Sequence, residues 1–221
     1  MPEFPKDKRD LDVANMTKWL SVDRVDESVA CFQPGGGIER LNLHFDIDRL
    51  RQALDDVLTI TDYQGSMKEE GFGAIALNRR PGIESPTAND LSGRYWLRAD
   101  DRYIEEPRED IVDESLFTEI HPQFSDTYFA HVDEELRKRF PIGRMRILSK
   151  GLFNCNSWHR DPEPRLHIPI ITNPGSLFIV NHHVTHLPAD GSVYFTDTRG
   201  YHTALNGGEY HRVHLVAALA Y

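Results

Sequence analysis

Little in this chain of 221 residues invites a covalent staple or a membrane. It has two cysteines, Cys31 and Cys155, and no apolar run approaching a bilayer span. A disulfide framework needs more cysteines than that, and a transmembrane helix needs about 18 or more successive apolar residues. The opening MPEFPKDKRDLD carries charge but neither the apolar stretch nor the small-residue cleavage site of a secretory signal. The expected compartment is therefore the reducing cytoplasm. Basic residues are short as well: 25 Lys and Arg stand against 35 Asp and Glu, a net charge of −10 that works against nucleic acid or an anionic membrane as partner. Internal repeats and low-complexity tracts are also missing, so one domain over 1–221 is expected, long enough to bury its own core.

What the chain does have is texture that changes along its length. Behind Asp46, which can cap the first amides, Ile47, Leu50, Leu54, Val57 and Leu58 recur at helical spacing. A second helix is predicted from about Asp126 to Phe140, with Phe129, Val132, Leu136 and Phe140 on one face and Pro141 to stop it. Arg79 to Pro107, rich in Pro, Gly, Asn and Asp, reads as long loops. Its Arg79, Arg80, Arg94, Tyr95, Trp96 and Arg98 suit either an acidic substrate or plain solvation.

After Pro141 the apolar period shortens to two. Strands are predicted at Arg144 to Ser149, Arg165 to Thr172, Ser176 to Asn181, Ser192 to Thr196 and Arg212 to Leu219. Asn173-Pro-Gly175, Ala189-Asp-Gly191 and Asn206-Gly-Gly208 supply the turns between them. The expected fold is mainly β with flanking helices: helices and loops over 1–141, then a double-stranded β-helix, the jelly-roll or cupin-like core, over 142–221.

Seven of the eleven histidines lie between His167 and His214. Two positions apart on a strand, His159 and Asp161 point to one face, and His202 follows 43 residues after His159. Two histidines and a carboxylate are the donor set of non-haem Fe(II) oxygenases, where open positions receive substrate and dioxygen. Arg212 lies ten residues beyond His202. If Asn206-Gly-Gly208 turns a hairpin, His202 and Arg212 face one cavity from its two arms. A keto acid chelated at the metal then has a guanidinium to fork onto its far carboxylate. Arg165 and His167 share a strand face with that cavity, although a neighbouring carboxylate can equally hold them.

Other residues have plainer readings. His182-His-Val-Thr-His186 lacks the Glu of a zinc protease motif and reads as an exposed hairpin. Asn206 reads as a turn residue, Cys155 as a buried free thiol, and His214 as either a residue orienting a ligand or simple packing.

From Arg146 to Leu215, the motifs His159-Arg-Asp161, Arg165-Leu-His-Ile-Pro-Ile170, Thr172-Asn-Pro-Gly175, His202-Thr-Ala-Leu-Asn206 and Arg212-Val-His-Leu215 resemble the aspartyl/asparaginyl β-hydroxylase family of Fe(II)- and 2-oxoglutarate-dependent dioxygenases. That resemblance implies Fe(II) at His159, Asp161 and His202, and 2-oxoglutarate at Arg212, Arg165 and His167. It implies a dioxygen-consuming hydroxylation of an amino acid or peptide. Unlike the vertebrate members, this chain keeps a carboxylate at Asp161 and has no counterpart of their membrane anchor or helical repeats. Two rivals stand beside this reading: a cupin-like metalloenzyme that dispenses with 2-oxoglutarate, and a non-catalytic jelly-roll binding module.

Overall fold

In the computed structural model, the described residues are 37–64, 71–91, 96–98, 105–107, 111–181 and 183–220. They begin with strand β1 (Ile38–His44), helix α1 (Ile47–Ile60), and strands β2 (Phe72–Ala76) and β3 (Asn78–Arg79). A short helix α2 (Ala88–Leu91), strands β4 (Trp96–Arg98), β5 (Glu105–Pro107) and β6 (Glu119–Ile120), and helix α3 (Tyr128–Arg137) follow. The remainder is strand: β7 (Ile142–Lys150), β8 (Asn154–Cys155), β9 (His159–Arg160), β10 (Arg165–Ile171), β11 (Ser176–Val180), β12 (His183–Thr185), β13 (Ser192–Thr196), β14 (His202–Asn206) and β15 (Arg212–Leu219).

Two antiparallel sheets carry the architecture. The larger in extent, built from six longer strands, runs β1-β13-β10-β15-β7-β2; the smaller, built from seven short strands, runs β12-β11-β14-β9-β4-β5, with β8 beside β14. From β10 onward the chain crosses between them at every connection except the β11–β12 hairpin, which is the winding of a jelly roll. The sheets are not confined to 142–221, since β1 and β2 complete the larger and β4 and β5 the smaller.

Period-two patterning sorts the larger sheet into two unlike faces. Its outer face presents Met145 and Ile147 from β7, Leu166, Ile168 and Ile170 from β10, and Val213, Leu215, Ala217 and Leu219 from β15. Against these pack Leu50, Ala53, Leu54 and Val57 of α1 and Phe129, Val132 and Leu136 of α3. Each such side chain contributes about 1.5–3 kcal/mol when fully buried, so this is the hydrophobic core. Helix α1 starts where the sequence predicts, with Asp46 Oδ1 accepting from the amides of Asp48 at 3.0 Å and Arg49 at 3.1 Å.

The alternate residues of the same strands point toward the smaller sheet. They are Arg144, Arg146 and Lys150 on β7, Arg165 and His167 on β10, and Arg212 and His214 on β15, all buried. A small apolar cluster containing Tyr194 of β13 and Phe178, Val180 and Ala204 of the smaller sheet joins the two layers. Desolvating an ion costs several kcal/mol even after relaxation, so these cations need partners.

Three sequence expectations change here. His202 and Arg212 are not on the arms of a hairpin, because β14 pairs with β11, β8 and β9 while β15 pairs with β10 and β7 in the other sheet. The cause is Asn206, which is a buried strand end and not a turn residue. Its amide donates to Gly151 O at 2.8 Å and Tyr210 O at 3.0 Å, and its carbonyl accepts from Asn173 Nδ2 at 2.8 Å. Cys155, expected to be buried, is exposed, because two-residue β8 lies off the main run of its sheet. Cys31 lies outside the described residues.

Candidate metal centre

The geometry begins with a cross-strand pair. β9 and β14 are antiparallel with His159 opposite His202, and the two rings stand 4.1 Å apart at 51°. Just past β9, the Asp161 amide donates to Thr198 O at 2.8 Å, which turns the carboxylate back toward the pair. Asp161 Oδ2 lies 3.2 Å from His202 Nε2. One ligand atom from each of the three residues falls within 4.8 Å of the others, and this is the only such group among the described residues.

Hydrogen bonds behind the rings settle which nitrogen faces the centre. His159 Nδ1 lies 2.8 Å from Ser157 O, and His202 Nδ1 lies 3.0 Å from Gly200 O. A carbonyl oxygen only accepts, so each Nδ1 bears a proton and each Nε2 is the nitrogen turned toward the centre. Burial, then the neighbouring His202, lowers the His159 pKa to about 3, so the ring is neutral at ordinary pH. Burial opposes ionisation of Asp161, yet Arg165, His202 and His159 together hold its pKa below the usual carboxylate value. Asp161 Oδ2 is buried with no aligned hydrogen-bond donor, while Oδ1 meets Arg165 Nη2 at 2.9 Å. The three side chains converge on one buried point, where a carboxylate and two imidazoles would hold a cation. The donor set therefore fits a divalent metal of imidazole and carboxylate preference.

The remaining expected site residues divide into two groups. Arg165 is held by carboxylates: its Nη2 lies 2.9 Å from Asp161 Oδ1 and 2.9 Å from Glu163 Oε1. Burial alone would lower its pKa, but Asp161 and Glu163 hold it above the usual arginine value. Glu163 also lies 3.8 Å from Arg144, which Glu114 holds through Nε at 2.7 Å. Neither glutamate stands out in the sequence, because nothing in their spacing marks them.

Arg212 has different surroundings. Its Nη2 donates to His214 Nδ1 at 2.7 Å, and among the described residues no carboxylate lies within ion-pair distance of it. Burial lowers its pKa to about 9. Since His214 Nδ1 accepts, its proton sits on Nε2, and that N–H is buried without a partner. His167 Nδ1 lies 3.3 Å from the same His214 Nδ1, which leaves His167 Nε2 buried and unpartnered too. The Phe178 ring stands between this group and the His159–Asp161–His202 cluster, 5.0 Å from His167 and 5.9 Å from His202. Phe178 is a site residue that sequence reasoning passes over, since an apolar strand residue carries no chemical signal.

Elsewhere, β12 pairs with β11 as an antiparallel hairpin, with Thr185 buried, and His186 Nδ1 donates to Ser176 O at 2.8 Å. Arg79 and Arg80 are ion-paired with Glu119 and Asp90. Arg94, Tyr95 and the side chains of Trp96 and Arg98 lie outside the described residues.

Compared with known proteins, the chain matches no protein-family model and no curated protein. Among solved structures it is similar to an oxidoreductase of the 2OG-Fe(II) oxygenase family from Burkholderia pseudomallei. That match has 14% identity and a TM-score of 0.54 over 89% of this chain and 95% of the other. It also matches a viral collagen prolyl hydroxylase from Paramecium bursaria Chlorella virus-1, at 10% identity and TM-score 0.43 over 83% of this chain and 96% of the other. A prolyl-4-hydroxylase from Pseudomonas putida matches at 13% identity and TM-score 0.45 over 83% and 92%. At these identities the likeness is one of fold, and the fold is the jelly roll of the 2OG-Fe(II) oxygenases. Among the described residues no helix is long and apolar enough to cross a membrane.

Proposed function

We propose that this protein is an Fe(II)- and 2-oxoglutarate-dependent dioxygenase that hydroxylates an unactivated C–H bond of an amino acid or of an amino-acid residue in a peptide. The observation that carries the reading is the convergence of one ligand atom each from buried His159, Asp161 and His202, all within 4.8 Å of one another. When bound, iron would supply the oxidising chemistry, in which 2-oxoglutarate and dioxygen yield succinate, carbon dioxide and the hydroxylated product.

The chain's own residues prepare that chemistry. Ser157 and Gly200 hold the two Nδ1 atoms so that each Nε2 faces the centre, and Asp161, whose pKa its neighbours lower, offsets part of the metal's charge. Three protein donors leave the other positions of a six-coordinate metal to small ligands. Arg212 is a buried cation without a carboxylate partner among the described residues, and the unpartnered Nε2–H of His214 lies beside it. A dicarboxylate reaching from the metal past Phe178 would satisfy both. His167, with its bare Nε2, would accept from a protonated group in the same cavity. The residue motifs favour an amino-acid or peptidyl substrate through their resemblance to the aspartyl/asparaginyl β-hydroxylases, and the scarcity of cysteine favours the cytoplasm.

The test is an anaerobic titration of metal-free protein with Fe(II) and 2-oxoglutarate, followed by the visible charge-transfer band of a chelated keto acid. The band is expected with both components present and is expected to vanish in His202→Ala. Iron binding without a band would favour the cupin-like enzyme. A wild-type protein that binds no metal would favour the binding module.

A further inference from the structure

The most developed feature outside the three ligands is a file of buried charges of alternating sign. Glu114 holds Arg144 through its guanidinium and through the Arg144 amide, the latter at 2.8 Å. Arg144 approaches Glu163 at 3.8 Å, Glu163 accepts from Arg165 Nε at 3.1 Å, and Arg165 Nη2 reaches Asp161 Oδ1 at 2.9 Å. The turn carrying Glu163 is pinned as well: Thr198 Oγ1 donates to Glu163 O at 2.7 Å while Thr198 O accepts from the Asp161 amide at 2.8 Å. All five side chains are buried.

Of the two readings the sequence leaves open for Arg165, this arrangement is the one in which neighbouring carboxylates hold it. A guanidinium already occupied by two carboxylates on its near side is poorly placed to bind a third, whereas Arg212 has none. Asp161 meanwhile has one oxygen against Arg165 and the other against His202 Nε2.

We propose that Arg165, seated by Glu163, is a positioning residue that holds Asp161 Oδ1 so that the carboxylate offers the metal Oδ2 alone. This rests on the metal reading given above. A free carboxylate can rotate to grip a metal with both oxygens and would then take up a position that small ligands need. A carboxylate with one oxygen tied to a fixed guanidinium ligates through the other only. Glu163 balances the charge of Arg165, and Arg144, itself gripped by Glu114, flanks Glu163 on its other side.

The experiment uses Co(II) as a spectroscopic probe on the full chain, comparing wild type with Arg165→Lys, Arg165→Gln and the double variant Arg165→Gln/Glu163→Gln. The double variant removes both charges together and avoids leaving a buried carboxylate alone. The expected result is a loss of Co(II) affinity of about 10–100-fold in the double variant, the usual cost of removing a residue that orients a ligand. The Co(II) absorption bands should also change shape, and Arg165→Lys should recover part of the affinity. At saturating Co(II), the 2-oxoglutarate concentration needed for half-maximal spectral change should stay within about twofold of wild type, since each tenfold change would mean about 1.4 kcal/mol of lost contact.

Unchanged Co(II) affinity and spectrum in the folded double variant would overturn the proposal, as would a large rise in the 2-oxoglutarate requirement with metal affinity intact. If the double variant does not fold, Arg165→Lys decides alone: wild-type affinity and bands would overturn the proposal. A wild-type protein that binds no Co(II) would instead remove the metal centre itself, and the positioning role with it.

Discussion

A buried guanidinium without an anion is costly, and Arg212 is one among the described residues. Burial pulls its pKa down to about 9, and it donates to His214 Nδ1 with no carboxylate in ion-pair reach among the described residues. Replacing a buried charge by an apolar side chain of similar length often raises stability by about 1–4 kcal/mol. Arg212→Met is therefore expected to make the ligand-free protein harder to unfold with urea while abolishing the thermal shift given by 2-oxoglutarate with metal. A variant that is less stable and still shifted would contradict both parts. The same scale shows how far the sequence could be read. His159 and Asp161 were legible because a spacing of two on extended chain must converge, whatever the surroundings. The partner of Arg165 was not legible, because the turn through Pro162, Glu163 and Pro164 decides it, and no periodicity encodes that turn.

Among the elements, helix starts and strand centres were legible and the connection from β14 to β15 was not. Asp46 marks the start of α1, and apolar alternation marks β10, β13 and β15 to within a residue. Asn206-Gly-Gly208 looks like a hairpin turn locally, but two buried asparagines distant in sequence, Asn173 and Asn206, lock it into a crossing between sheets. Its glycines answer to close approach: a Cβ on Gly208 would lie 2.1 Å from Asn173 Oδ1. Removing a helix cap costs about 1 kcal/mol, whereas forcing atoms into a packed site costs about 1–3 kcal/mol or more. Gly208→Ala is thus expected to destabilise more than Asp46→Ala in equilibrium urea denaturation, and the reverse order would show that the Asn173–Asn206 lock yields easily.

At the scale of the molecule, the buried histidines set the response to acid. His159, His167 and His214 all have pKa values depressed chiefly by burial, while the unfolded chain binds a proton on each near pH 6.5. Below that pH the unfolded state holds more protons, so stability is lost as pH falls, at up to about 1.4 kcal/mol per unit for each histidine. Glu163, whose pKa burial raises, acts in the opposite sense and lessens the slope. Urea midpoints of the metal-free protein are expected to hold between pH 7.5 and 6.5 and to fall from there to pH 5, using about those values as the window. A flat profile would mean that the histidines titrate normally.

The alternation of the chain between sheets, noted for its winding, also bears on how the molecule opens. Apart from the β11–β12 hairpin, successive strands from β10 to β15 belong to different layers, and His159 with His202 sits in one layer while Arg165 and Arg212 sit in the other. Neither sheet can peel away without dragging covalently attached strands out of its partner. Backbone amides in both layers should therefore exchange with solvent as a single cooperative unit, and an occupant of the cavity should slow exchange even in strands it never touches.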